Sequence, residues 1–417
     1  MSGYDAIVVG ARCAGASTAL LLARQGRRVL LLDRAVFPKD TLSTGHIQLR
    51  GVATLADWEL LDRLRDTGCP PMGRTIYRAA GITVTGSSRP VRGQRMNYAP
   101  RRHLLDRLLV EAAVAAGVEF RDATTVDDLL FADGRATGVR CRTAGGGWVN
   151  ERASLVVGAD GMRSLVARRV RAAALAEAAT KSCVYYAFWD LPTDNALSVT
   201  RADGALVGAV GTNGGTLVAC YLRHREFARA RQRPLDVYLG TIREHDGELF
   251  ERLRAAEMTE RLHGTGDQPN FIRRAAGPGW ALAGDAAVHK DSVTAWGITD
   301  AFLQAQLLTD CLASAVTPDR ALTEYAATLR SAARPGYEAA LAVADLNLDD
   351  GDLAFMHRLA DDPALADLYF SMTSGAITYQ EFDAAFRAQS PAGVSTATQE
   401  SSSHADSDRR LHGTARG

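Results

Sequence analysis

Residues 4–34 read YDAIVVGARCAGASTALLLARQGRRVLLLDR. Residues 6–9 form an apolar run long enough for a buried parallel strand. The turn Gly10-Ala11-Arg12-Cys13-Ala14-Gly15 follows at once. A helical pattern over 16–25 carries Leu20, Leu21 and Ala23 among its apolar positions, and Gly26 stops it. Residues 29–32 predict a second buried strand, with Asp33 at its end. Strand, glycine turn, helix, strand and acid in this order make one βαβ unit of dinucleotide-binding character. In such a unit the turn's N–H groups and the helix N-terminus face a pyrophosphate. Asp33 is placed to accept hydrogen bonds from an adenosine ribose. Arg12 stands where the usual pattern has its middle glycine. An arginine gives up the closest backbone approach and offers its own charge to the phosphates.

The remainder of the chain bounds the function class. With 417 residues it can bury a large core, and its formal net charge of zero gives no support to a nucleic-acid partner. Its six cysteines are scattered, with no C-x-x-C pair, so neither a zinc site nor a disulfide framework is expected. Reduced thiols of a cytoplasmic protein fit that pattern. The chain enters its first strand without a leader-like basic and apolar segment, and no apolar run is long enough to span a bilayer.

Further along, the pattern predicts helices over 50–64 and 102–116, a hairpin within 73–98, and strands over 118–120, 126–131, 138–142 and 155–157. Strand-like runs at 184–189, 205–210 and 217–222, separated by Gly, Asn and Asp turns, predict an antiparallel sheet. Helices follow over 235–257, a buried strand at 281–283, a helix over 297–312 and one or two more over 321–345. Residues beyond about 388 carry almost no large apolar side chain and are expected to be disordered.

Three separated pieces carry chemistry: the glycine turn at 10–15, the run Gly158-Ala159-Asp160-Gly161, and Gly284-Asp285 with Gly297 twelve residues after Asp285. Taken singly, the second and third are also plausible turns. In this order and spacing they resemble the flavoprotein hydroxylase superfamily, which includes geranylgeranyl-reductase-like and halogenase-like proteins. The resemblance spans about residues 4–345. It implies an α/β fold, with a Rossmann-like FAD-binding domain of glutathione-reductase type, an inserted, mostly antiparallel substrate sheet, and C-terminal helices. The implied division is 1–72, 99–178 and 270–330 for FAD, 73–98 and 179–269 for substrate, 331–387 as C-terminal helices, and 388–417 as a disordered tail.

The resemblance also assigns residues. Gly10, Ala11, Arg12, Ala14 and Gly15 would lie at the FAD pyrophosphate, with Asp33 at the ribose and Arg34 beside it. Arg102 matches the arginine of the family's R-x-x-L pattern, with Arg101 one register away. Val126 matches the backbone position that meets adenine. Asp160 would support the phosphates, and Gly284 and Asp285 the ribityl or phosphate region. Gly297 and Ile298 would bring a helix N-terminus to the flavin ring.

The third piece departs from the family. Hydroxylases carry a proline near the flavin edge; here Ser292 stands in that region and Trp296 precedes Gly297. His289 and Lys290 follow Asp285 closely and are the candidate catalytic residues, His289 as a general base. No metal is expected. The reaction implied is monooxygenation by NAD(P)H and O₂ of an apolar aromatic or polycyclic small molecule, as in specialised metabolism. Reduction of a C=C bond is the alternative, since Ser43-Thr44-Gly45 loosely resembles the Cys-Gly loop of the reductases. A halogenase fits less well: the run Phe188-Trp189-Asp190-Leu191-Pro192 does not match W-x-W-x-I-P. Another flavin oxidase, or a protein that merely sequesters flavin or drug, completes the range. Oligomeric state is left open.

Overall fold

The run YDAIVV forms the strand Tyr4–Val9, with parallel neighbours on both sides. Ala6 lies beside Val29 on one side and Leu155 on the other; Ile7 lies beside Leu30 and Val156. A strand buried on both faces needs apolar residues throughout, as these are. In the computed structural model, which describes residues 3–143 and 145–388, five parallel strands run in the order Trp280–Leu282, Trp148–Gly158, Tyr4–Val9, Val29–Leu32, Glu119–Arg121. Ala276–Gly277 adds an antiparallel edge, and the hairpin Thr125–Ala132 and Arg135–Arg142 continues from Trp148–Gly158. The helices Cys13–Arg24, Arg102–Ala115 and Gly297–Ser314 cover the parallel sheet, burying Leu20, Leu109 and Phe302 in one core.

The first helix begins at Cys13, three residues earlier than its apolar pattern indicates. Ala16 N–H already donates to Arg12 C=O (2.9 Å), so the second half of the glycine turn is helical. The expected helix over 50–64 is two, Leu49–Asp57 and Leu61–Arg65. Glu59 breaks it with φ of 61°. That turn lets Trp58 pack edge-on against Phe302 (centroids 5.4 Å apart) and donate from Nε1 to Gln306 Oε1 (2.8 Å). The stretch expected to hold one or two helices over 321–345 is one, Pro318–Ala344, which continues through Pro335.

A seven-stranded sheet forms the second layer, in the order His263–Thr265, Ser182–Trp189, Gly215–Arg223, Ala205–Thr212, Ala196–Ala202, Arg74–Ala79, Ile82–Gly86. Its pairs are antiparallel except Ala196–Ala202 with Arg74–Ala79. Alternation splits the aromatics of Ser182–Trp189 between two faces. Tyr185 and Trp189 pack against Tyr238 and Ile242 of the helix Pro234–His245. Tyr186 and Phe188 face the other way, with Leu217, Tyr221 and Val293. The helices Asp350–Asp361, Pro363–Thr373 and Tyr379–Ala388 pack on the outer hairpin through Val84, Met356, Phe370 and Phe382. The tail expected to be disordered lies, after Ala388, outside the described residues. Among the described residues no helix is long and apolar enough to cross a membrane, and no group of three or more His, Cys, Asp or Glu could hold a metal. All six cysteines are free and buried.

Candidate flavin site

The three sequence pieces meet because each follows the carboxyl end of one of three adjacent parallel strands. This is where open α/β sheets bind ligands. Backbone hydrogen bonds stitch the ends together. Gly10 N–H donates to Leu32 C=O (2.7 Å), Ala159 N–H to Val9 C=O (2.8 Å) and Ala283 N–H to Gly158 C=O (2.9 Å).

Close approach then fixes residue type. Gly10 has φ of +99°, and a Cβ there would come 2.4 Å from Ala159 O. A Cβ on Gly15 would lie 1.7 Å from Gly10 O. Gly284, at φ +62°, leaves room for Ala14, whose Cβ would be 2.7 Å from any added at 284. Gln304 Oε1 holds Gly284 in place by accepting from its N–H (2.8 Å).

Asp33 is buried at the end of Val29–Leu32. Its Oδ2 accepts from Ala11 N–H and its Oδ1 from Ala35 N–H, both at 2.8 Å. The acid therefore braces the turn, and a carboxylate retains acceptor capacity for ribose hydroxyls. Thr124 N–H donates to Asp33 C=O (2.8 Å), which sets Val126, at the start of Thr125–Ala132, beside this end. Arg34 is exposed.

Arg12 and Arg102 converge on a residue that the motif reading missed. Asp106 is fully buried. Its Oδ2 accepts from Arg12 Nη1 (3.0 Å), and both its oxygens from Arg102 Nη2 (3.0 and 3.2 Å). Cys13 Sγ also donates to Oδ1 (3.4 Å); burial pushes that thiol up to about 12, so it stays protonated. Arg12 is thus held by a counter-charge rather than left loose over the turn. Desolvation works against the Arg102 charge, but Asp106, with Asp285 behind it, outweighs that and raises its pKa. Arg102 Nε is buried without a partner. The i, i+4 spacing of Arg102 and Asp106 was the available signal. Arg101 points elsewhere, pairing with Asp40 (3.1 Å) and Glu260 and lying 3.7 Å from the centre of the Phe188 ring.

Asp160 divides its two oxygens. Oδ2 accepts from Leu165 N–H (2.6 Å) and Val166 N–H (3.2 Å), starting the helix Leu165–Arg169, while Oδ1 is buried and unpartnered. Desolvation raises its pKa against these hydrogen bonds. Asp285 is exposed, yet the protein around it is close enough for desolvation to raise its carboxyl pKa. His289, Arg102 and Lys290 pull it down again, while Asp300 adds to the rise.

The loop after Asp285 leads to the helix Gly297–Ser314, where Gly297 is exposed and Ile298 buried. His289 pairs in register with Phe271, and its Nδ1 is hydrogen-bonded to Pro269 C=O. Lys290 Nζ is ion-paired with Asp300 in the first turn of that helix (2.8 Å). Where the hydroxylase resemblance leads one to expect proline, a polar network does the fixing. Asp291 accepts from Ser182 Oγ (2.8 and 2.9 Å) and Val293 N–H (3.1 Å), and its own N–H donates to Asn270 Oδ1 (2.7 Å). Ser292 Oγ donates to Gln268 Oε1 (2.5 Å), and Tyr221 Oη donates to Ser292 C=O (3.1 Å). The loop is thereby tied to the seven-stranded sheet.

A cavity of about 460 Å³ lies away from these motifs, on the outer side of that sheet. Two of its arginines are already engaged: Arg78 with Ser198 (2.7 Å) and Arg252 with Asp194 (2.7 Å).

A sequence profile described as FAD binding domain matches residues 3–335. The chain belongs to this family. The glycine cradle and the unpartnered Arg102 Nε fit such a cofactor. Family relatives include the digeranylgeranylglycerophospholipid reductase of Methanosarcina mazei, 25% identical over 331 residues that cover 75% of this chain and 76% of that protein. The kynurenine 3-monooxygenase of Salinispora arenicola is 34% identical over 175 residues, 40% of this chain and 37% of that protein. The myxobacterial chondrochloren halogenase CndH shares the fold, with a TM-score of 0.74, 22% identity and coverage of 88% of this chain and 92% of that one. The α/β architecture and the assignment to FAD-dependent oxidoreductases therefore agree with the sequence reading.

Proposed function

We propose that the protein is a monooxygenase that uses FAD, NAD(P)H and O₂ to hydroxylate an apolar aromatic or polycyclic small molecule. The observation that carries this reading is the inner face of the seven-stranded sheet. Tyr186, Phe188, Val210, Leu217 and Tyr221 line it, and the Tyr221–Ser292 hydrogen bond joins it to the loop that precedes Gly297. Such a wall keeps water away and offers flat apolar contact to a substrate ring. When bound, FAD supplies electron transfer and oxygen activation; the chain binds, orients and shields.

In this reading the glycine turn, Asp33 and Arg34, Arg102, Val126 and Asp160 hold the nucleotide half. Gly284, Asp285, Gly297 and Ile298 hold the ribityl and ring half. His289 is the candidate general base. A carbonyl can only accept, so Nδ1 carries the proton toward Pro269, and Nε2 is left as the basic nitrogen. Lys290, paired with Asp300, holds positive charge near the helix N-terminus.

A second reading, FAD-dependent reduction of a C=C bond, is supported by the match to the Methanosarcina reductase over three quarters of both chains. One experiment separates the two. The purified protein is given FAD, NAD(P)H, ¹⁸O₂ and a panel of phenolic, polycyclic and polyprenyl compounds. Monooxygenation is expected to add one labelled oxygen atom to a product and to consume O₂. A product that gains two hydrogens without label would overturn it in favour of the reductase. His289→Ala is expected to keep FAD and its reduction by NAD(P)H, while product formation falls about a hundredfold. Unchanged turnover would remove His289 from the chemistry.

A further inference from the structure

One side chain beside the candidate ring site, His46, is buried with no hydrogen-bond partner. Residues 43–48 run between the two halves of the molecule. Ser43 N–H donates to Tyr186 Oη (3.1 Å) on the inner face of the sheet. Gly45, at φ +73°, passes so close to Pro100 that a Cβ would come 2.4 Å from its carbonyl oxygen. Ile47 N–H donates to Tyr98 C=O (2.8 Å). Gln48 N–H donates to Thr299 Oγ1 (3.0 Å), and its amide Nε2 to Thr294 C=O (3.4 Å). The segment is therefore clamped to the sheet at one end and to the start of the helix Gly297–Ser314 at the other.

His46 sits between these clamps, 3% exposed. Neither Nδ1 nor Nε2 has a hydrogen-bond partner. Its ring comes up to the backbone of Ala295, in the left-handed turn just before Gly297, without the geometry of a hydrogen bond. Buried polar side chains are almost always satisfied, so an imidazole with two idle nitrogens calls for an absent partner. The neighbour here is the turn that carries the ring end of the flavin site.

We propose that His46 makes a hydrogen bond to the ring system of bound FAD, at the edge presented to Ala295–Ile298, and thereby positions and tunes the flavin. The proposal rests on the reading that the ring lies at the N-terminus of the helix Gly297–Ser314. Burial lowers the imidazole pKa to about 4, so the group is neutral at pH 7 and carries one donor and one acceptor. It adds a dipole to the site and no charge. Neither the glycine motifs nor the family's R-x-x-L pattern includes this position.

The test compares wild-type, His46→Phe and His46→Gln holoproteins by FAD dissociation constant, visible flavin spectrum and reduction potential, none of which requires a substrate. His46→Phe is expected to weaken FAD about tenfold, the loss of a single hydrogen bond. It should also shift the flavin bands and change the potential. His46→Gln keeps a donor and an acceptor and should restore much of each. If His46→Phe does not fold, His46→Gln is compared with His46→Leu by the same readouts. Holoproteins with unchanged affinity, spectrum and potential would overturn the proposal. A wild-type protein that takes up no FAD would instead overturn the site reading beneath it.

Discussion

The proposed nucleotide end and the proposed ring end of the site are made of different materials. At the nucleotide end the backbone decides: Gly10 and Gly15 sit where a Cβ would meet Ala159 and Gly10. At the ring end, side chains from separate elements decide. Gln268, Asn270, Ser182 and Tyr221 fix Asp291 and Ser292, and His46 lies buried beside Ala295 on a different segment. A backbone cradle dictates residue type position by position. A side-chain network can be rebuilt from other residues so long as the loop is held. The first kind of site should therefore fail abruptly on substitution, and the second should adjust.

The sharpest break in that contrast is Gly15→Val. A side chain 1.7 Å from Gly10 O cannot be accommodated. We expect no FAD uptake and a stability loss on the order of 4 kcal/mol, checked by flavin content and urea denaturation. A stable, yellow Gly15→Val protein would mean that the turn is not a backbone cradle.

The next prediction concerns the ring end of the apoprotein. His46 has its folded pKa lowered to about 4, from 6.5. Between those values the unfolded chain binds a proton that the folded one does not, so stability falls as pH drops from 6.5 toward 4. The loss attributable to His46 is on the order of 3 kcal/mol. Asp160, Asp285 and Asp291 have raised pKa values and act in the opposite sense at the acid end, so the quantity to measure is wild type minus His46→Gln. Identical pH profiles for the two proteins would show that the imidazole is not held neutral.

Asp285→Ala should weaken FAD by about 1–3 kcal/mol, roughly tenfold to a hundredfold, in equilibrium titration. An unchanged dissociation constant would reduce Gly284-Asp285 to a structural turn. The smallest effect is expected from Arg12→Gln. Arg12 is partly exposed, and Arg102 still neutralises Asp106, so stability should change by less than about 1 kcal/mol. A larger loss would make Arg12 the main support of Asp106.

This contrast also explains what could be read in advance. The parallel core and its motifs were legible because burial on both faces demands runs such as 6–9 and 29–32, and because close approach demands glycine. The strand-like runs at 184–189, 205–210 and 217–222, separated by Gly, Asn and Asp turns, marked the second sheet in the same way. Asp106 was harder, since it looks like one acid on an amphipathic helix until Arg12 is brought to it from far away in sequence. The split at Glu59 arises from Trp58 packing on a distant helix, which no local pattern records. His46 carries no signature at all; only its burial and idle nitrogens single it out.

The central claim is that the cradle recognises the adenylate half of FAD through Gly10, Gly15 and Asp33. Titration of the apoprotein with FAD and, separately, with FMN tests it most directly. We predict saturable FAD binding, and FMN binding weaker by at least about a hundredfold, the equivalent of two lost hydrogen bonds to charged groups. Equal affinity for the two flavins, or no binding of either, would contradict the account.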